Sequence, residues 1–188
     1  MWSRGSETGG ERTMHIIIDG YNLIRQSAYL RRFERFSLER GRQALISALA
    51  SYHKRGGRRI TIVFDGWDGG EEMEERDRQA GIEIIYSRRG EKADEVIKRL
   101  VQAKSGETVV VSSDREIAVF ADRRGATAIS SPDFEAVISR AETQNPDAGS
   151  GAGEEEEEEK SAIGKKKKGP ARRPSRKEKN LLAALRKL

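Results

Sequence analysis

Four aspartates occupy positions from which a folded chain could do chemistry. Asp19 closes the apolar run His15-Ile-Ile-Ile, Asp65 closes Ile60 to Phe64 (ITIVF), and Asp114 follows Thr108 to Val111 (TVVV) across Ser112-Ser113. Asp94 opens an apolar repeat that leads into the last of these runs. Carboxylates brought together repel one another unless a cation neutralises them, and hard oxygen donors suit Mg2+ or Mn2+. Such ions activate water and clamp the oxygens of an in-line phosphoryl displacement. Each acid also has an ordinary reading. Asp-Gly after a strand is a common turn, which covers Asp19 and Asp65. Asp94 and Asp114 would suit helix N-termini, with Ser113 and Glu116 as a capping box. Asp133, after Pro132, fits a first helical turn. The joint placement of Asp19, Asp94 and Asp114 in strand-end contexts is what favours a metal site. His15 lies within a strand and His53 at a helix end, so both read as structural. The absence of Cys excludes disulfides, Cys-ligated zinc, iron–sulfur clusters and thiol nucleophiles.

The elements that must position these acids alternate between strand and helix. Strands are expected at His15–Asp19, Ile60–Asp65, Ile82–Tyr86 and Thr108–Val111, with a fifth at Ala126–Ile129. Helical spacing predicts a helix over Leu38–Tyr52, with Ser37 as N-cap and Gly56 ending it, and others over Ala93–Ala103, Asp114–Arg123 and Pro132–Arg140, the last with Pro at its first position. Continuous apolar strands alternating with helices argue a parallel sheet covered on both faces. In such sheets ligands bind outside the carboxyl ends of the strands, where the acids would meet. Neither GxGxxG nor GxxxxGK[ST] occurs, so the usual nucleotide loops are absent and no small-molecule cofactor is expected.

A chain of 188 residues is one domain with tails. Its 36% charged residues exceed the usual ~25%, so part of it should not be globular. Residues 1–150 hold 24 basic and 24 acidic side chains, leaving 12 of the 36 basic and 7 of the 31 acidic ones beyond, so the tail carries the whole net +5. Four regions follow: 1–13, a disordered polar extension; 14–143, the domain; 144–174, a disordered linker holding Glu154–Glu159 and the basic run from Lys165; and 175–188, a short basic amphipathic helix. In that helix Ser175 and Glu178 form a capping box, and Leu181, Leu182, Leu185 and Leu188 share a face. So short a helix should form mainly on a partner. The basic block should bind polyphosphate in a salt-sensitive way, docking the protein on structured RNA or a ribosomal surface, with the Glu run competing in cis. No run approaches the ~20 apolar residues of a membrane span, and Met1–Thr13 lacks the apolar stretch of a signal peptide, so a cytoplasmic protein is expected.

The string IIIDGYNLI, Ile16 to Ile24, resembles the opening motif of the NYN family of PIN-like nucleases. FDG (Phe64–Gly66), KADEVI (Lys92–Ile97) and VVSSDREI (Val110–Ile117) resemble its later blocks in the family's order, closest to the YacP-like branch, over Met14 to Arg140. The resemblance implies a PIN-like three-layer α/β/α sandwich with a mainly parallel sheet and a metal-dependent endoribonuclease. It implies that Asp19, Asp94 and Asp114 hold Mg2+ or Mn2+, that Asn22 orients the first carboxylate or a water, that Ser112 or Ser113 supports Asp114, and that Asp65 is a supporting or fourth acid. Arg88, Arg89 and Lys92, beside Asp94 in sequence, are candidates for phosphate contacts and join Ser112 and Ser113 as the substrate-facing set; Arg123 and Arg124 are weaker ones. Trp67 could stack on a base or cover the sheet edge. The acidic segment Glu71–Asp77 should face away from RNA or be mobile.

Two rivals stay open: a non-catalytic RNA-binding adaptor, and a DNA-directed nuclease of the same group. A haloacid-dehalogenase phosphatase is disfavoured because Tyr21 stands where that class needs a second acid.

Overall fold

The apolar residues of the strands divide by parity into two cores. Ile17, Val63, Ile85 and Val110 point to one side of the sheet, while Ile16, Ile18, Ile62, Phe64, Ile84, Val109 and Val111 point to the other. Both sides are buried, which is why these strands read as unbroken apolar runs. The computed structural model describes residues 14–56, 58–66, 73–103, 106–143, 183–184 and 188.

Within them the order is β1 (His15–Asp19), α1 (Gly20–Gln26), α2 (Leu30–Glu34), α3 (Leu38–Gly56), β2 (Arg59–Phe64), β3 (Glu75–Gln79), β4 (Ile82–Tyr86), α4 (Ala93–Gln102), β5 (Thr108–Val111), α5 (Arg115–Arg123), β6 (Thr127–Ile129) and α6 (Ser131–Thr143). The strands form one sheet in the order β3-β4-β2-β1-β5-β6, parallel except for β3. Helices α4 and α5 cover the first core through Val96, Ile97, Ile117 and Ala121. The second lies under α1, α3 and α6, which contribute Leu23, Leu45, Leu49, Tyr52, Phe134 and Ile138. This is the expected three-layer α/β/α sandwich.

Three features depart from the sequence reading. Helices α1 and α2 follow Asp19, where Asp-Gly suggests a turn. The acidic segment, where the sequence suggests no strand, contributes to the antiparallel edge strand β3, whose residues are nearly all exposed. It is held by its ladder to β4 and by a two-residue turn, Ala80 (φ 50) and Gly81 (φ 85), with both turn residues in the left-handed region as a tight hairpin requires. Third, α6 starts at Ser131, so Pro132 is its second residue. Ser130 caps it, its Oγ accepting from the Asp133 backbone N–H at 3.3 Å and donating to the Asp133 carboxylate at 2.6 Å, so Asp133 is structural as expected.

The far end of the chain packs on the domain itself. Ala184 is buried in the core under α3 and α6, the Leu188 N–H donates to the Ala184 carbonyl, and the Tyr52 hydroxyl donates to the Leu188 main-chain oxygen at 2.7 Å. The expected extension 1–13, Trp67, the linker 144–174 with its charge runs, and most of the terminal helix lie outside the described residues.

Candidate active site

The strand order turns at β1. From β1 the chain passes through α1–α3 to β2 on one side, and from β4 it returns through α4 to β5 on the other. The helices that follow β1 and β5 therefore leave on opposite faces, opening a crevice at the carboxyl ends of these two strands. Asp19 ends β1 at this point and Ser112-Ser113-Asp114 follow β5.

Asp19 is 8% exposed. Its Oδ1 accepts from the Asn22 backbone N–H at 3.1 Å, capping α1, and its Oδ2 accepts from the Ser112 hydroxyl at 3.1 Å. Burial pushes its pKa up to about 6, opposed by those two hydrogen bonds and reinforced by the charges of Asp94 and Asp65. Asp94, half-buried in the first turn of α4, is raised by burial and by the charge of Asp114. Asp114 is exposed and is itself the N-cap of α5: its Oδ1 accepts from the N–H groups of Glu116 (2.6 Å) and Ile117 (3.2 Å). This corrects the expected capping box, since the capping side chain is Asp114 rather than Ser113. Asp65 caps α4 from outside the helix, its Oδ1 accepting from the Ala93 N–H at 2.5 Å, where Lys92 offers no side-chain cap. Asp19 thus feels the charges of Asp94 and Asp65, and Asp94 those of Asp114 and Asp65, at the carboxyl ends of the strands.

Ser112 is buried and spans two of them, donating to Asp19 and accepting from the Asp114 N–H at 3.1 Å. The Asn22 side chain is not bonded to Asp19 among the described contacts. Its Oδ1 accepts instead from the Ser113 N–H (2.9 Å) and the Ser131 hydroxyl (2.8 Å), fastening the start of α1 to the loop that carries Asp114 and to the start of α6. Ser113 Oγ accepts from the Ser131 N–H at 3.2 Å. Ser131 and Ser87 escaped the sequence reading. Ser87 is buried, accepts from the Gly66 N–H at 2.8 Å and donates to the Glu91 carbonyl at 2.6 Å, joining the loops after β2 and β4. A polar residue one step (Ser87) or two steps (Ser131) past a strand is their only local signal.

Arg88, Arg89 and Lys92 line a groove of about 1080 Å³ with Lys98, Arg99 and Phe120. Several of these cations are paired: Arg88 with Glu91 (3.5 Å), Lys98 with Glu95 and Glu116, and Arg99 with Glu91 and Glu74. Glu74, from the acidic segment, pairs with Arg99 of α4. Arg124 stacks on Phe120, and Arg123 lines an adjoining groove. His15 bonds Thr61 and His53 bonds the Arg58 carbonyl, both structural.

Among the described residues no three carboxylate or imidazole side chains stand close enough to enclose a metal ion. The donor set nonetheless fits a hard divalent cation in chemistry: it is all oxygen, burial and then neighbouring carboxylates raise two of its members, and the three that cap helices retain accepting capacity beyond the cap. Mg2+ commonly keeps several waters and takes only one or two carboxylates, so a closed cage is not required.

A mainly parallel three-layer sandwich with acids gathered at its switch point defines a PIN-like α/β domain. Residues 16–187 match the YacP-like NYN domain, and the chain belongs to that family, a nuclease-type domain. It is 33% identical over 90 residues to YacP of Bacillus subtilis (strain 168); the match covers 47% of this chain and about half (51%) of that relative. The crystal structure of Rae1 (YacP) from Bacillus subtilis is similar with a TM-score of 0.57 at 28% identity, over 69% of this chain and 75% of that one. The crystal structure of a mutant form of the same Bacillus subtilis protein gives 0.61 at 26%, over 70% and 79%. No described helix is long and apolar enough to cross a membrane.

Proposed function

We propose that this protein is a metal-dependent endoribonuclease that cuts RNA phosphodiesters to leave 5′-phosphate and 3′-hydroxyl ends. The observation that carries the reading is Asp19: a carboxylate buried at the switch point, raised to about 6, with Asp94 and Asp65 adding to its cost of ionisation. A fold retains such a group at the expense of its own stability, and raised acids gathered in a crevice are a mark of functional sites. In this reading Asp19, Asp94 and Asp114 hold Mg2+ or Mn2+, with Asp65 as a supporting acid. When bound, the ion would supply a nucleophilic water at neutral pH and charge neutralisation at the phosphate. Ser112 keeps Asp19 and Asp114 in register. Asn22, with Ser113 and Ser131, fixes the loop that carries Asp114. Arg88, Arg89 and Lys92 draw the phosphate backbone toward the crevice. RNA, including ribosome-associated RNA, is the substrate, and the cytoplasm is the compartment.

The test is cleavage of end-labelled single-stranded and hairpin RNA, and of the matching DNA, with Mn2+, Mg2+ or EDTA. Metal-dependent cutting of RNA that Asp19→Asn and Asp114→Asn each reduce at least about a hundredfold is expected, comparable to losing one strong transition-state contact. Binding without cutting, in the presence of metal and of translating ribosomes, would favour the adaptor and overturn the proposal.

A further inference from the structure

The face of α2 carries a surface that the acidic crevice does not use. Tyr29 is 59% exposed and Phe36 73%, with Phe33 partly exposed between them; Tyr29 and Phe33 meet edge-to-face at 5.3 Å. Arg31, Arg32, Arg35 and Arg40 alternate with these rings, all four exposed. Over residues 29–40 four arginines face two glutamates, and one of these, Glu34, is paired with Arg25 at 3.5 Å. No ion pair involves Arg31, Arg32 or Arg35 among the described residues, and Arg40 stacks on the Phe36 ring at 5.6 Å. A groove of about 540 Å³ runs between α2 and α3, lined by Tyr29, Phe33, Arg40 and Ala44.

We infer that this surface docks single-stranded RNA, the rings stacking on bases and the arginines meeting phosphates. The inference rests on the nuclease reading and gives its substrate a second point of attachment. Exposed rings cost the fold free energy and mark an interaction surface. The choice of occupant follows from charge: a patch rich in unpaired guanidinium groups wants a polyanion, and rings interleaved with arginines suit unpaired bases. Position agrees. Helix α1, seven residues or about 10 Å long, leads from Asp19 to the start of the patch, so one strand can reach both.

The test measures binding of a fluorescent single-stranded RNA of about 20 nucleotides by anisotropy, in EDTA so that no cutting occurs, over a series of salt concentrations. Tyr29→Ala with Phe36→Ala should weaken binding at least about fivefold at fixed salt with little change in salt slope, as loss of a stacked base does. Arg31→Ala, Arg32→Ala and Arg35→Ala combined should flatten the slope by about 2, near 0.7 per lost phosphate contact. Phe36→Trp keeps the ring and should bind as tightly as the unaltered protein or tighter. All the altered side chains are exposed, and circular dichroism checks that each variant folds. Unchanged affinity and slope in both sets of variants would overturn the docking surface, and would point to a protein on this face. Because binding is read without cleavage, absence of metal-dependent cutting by the unaltered protein with these binding effects intact would count against the nuclease reading alone.

Discussion

Replacing Asp19 by Asn should make the protein more stable at neutral pH, by an amount the structure allows to be worked out. The carboxyl group has a pKa of about 6 when folded against 3.8 when free. At about 1.4 kcal/mol per unit, the ionised group costs the fold about 3 kcal/mol. The sign follows from the raised value: the folded state holds the proton more tightly, so the cost is absent below 3.8 and grows as pH rises through 6. Asn keeps the acceptor for the Asn22 N–H but presents an N–H2 group where Ser112 donates, a mismatch worth about 1 kcal/mol. The net expectation is a gain of about 2 kcal/mol at pH ~8, turning to a small loss below pH ~4. Urea unfolding of both proteins in EDTA at several pH values reads it directly. His15, on the same strand, is held down to about 4 by burial and by Arg59, so its contribution falls as pH drops from 6.5 through 4. That slope opposes the one from Asp19 and is common to both proteins, so the difference between them is the quantity to follow. An Asn variant no more stable than the parent above pH ~7 would refute the argument that burial and neighbouring acids strain this carboxylate.

Mn2+ should close the gap, stabilising the parent but not Asp19→Asn, and its affinity should weaken as pH falls through about 6, read by thermal shift at fixed metal. Asp65→Ala should cost about 1 kcal/mol by uncapping α4, and should reduce cleavage less than Asp19→Asn does. Asn22→Ala should cost about 1–3 kcal/mol in urea unfolding and slow cleavage without abolishing metal binding, because it releases the Ser113 N–H and the Ser131 hydroxyl rather than a metal donor. Gly20→Ala should destabilise by about 1–3 kcal/mol in the same unfolding assay, since its new Cβ would lie 2.3 Å from the Phe64 ring, wedged in the core beside Tyr21 and Tyr86.

Local pattern carried the sheet and the gathering of the acids, and failed where structure depends on distant partners. β1, β2, β4 and β5 are buried on both faces, so their apolar runs are visible without knowing their neighbours. Asp19 and Asp114 were legible because each follows such a run, and strand ends meet at a switch point. β3 (ERDRQ) has no apolar residue and exists through its pairing with β4, so nothing within it announces a strand. Helix α2 is five residues long, and the rings that flank it, Tyr29 and Phe36, stay in water, against the rule that apolar residues turn inward. The bonds that give Asn22 its place reach Ser113 and Ser131, 91 and 109 positions away, and no local motif encodes them. The expected terminal helix lies mostly outside the described residues; of its residues Ala184 and Leu188 pack on the domain's own core.

The ordinary and the chemical readings of the acids are compatible. Asp19, Asp65 and Asp114 each give an oxygen to the N–H groups at a helix start. A cap fixes the rotamer of a short side chain, and the positive end of the helix offsets some of the repulsion that brings these carboxylates their cost. A carboxylate has about four accepting positions, so a cap leaves room for a cation. Capping is therefore a means of holding charged groups at a crevice without salt-bridging them to a lysine or arginine, which would neutralise them permanently. Asp94, with no cap acceptor role among the described hydrogen bonds, is raised by burial and by the charge of Asp114, which reaches it. Burial raises Asp19, and among the described residues no arginine or lysine pairs with it; under the proposed function the compensating charge would be that of the bound cation.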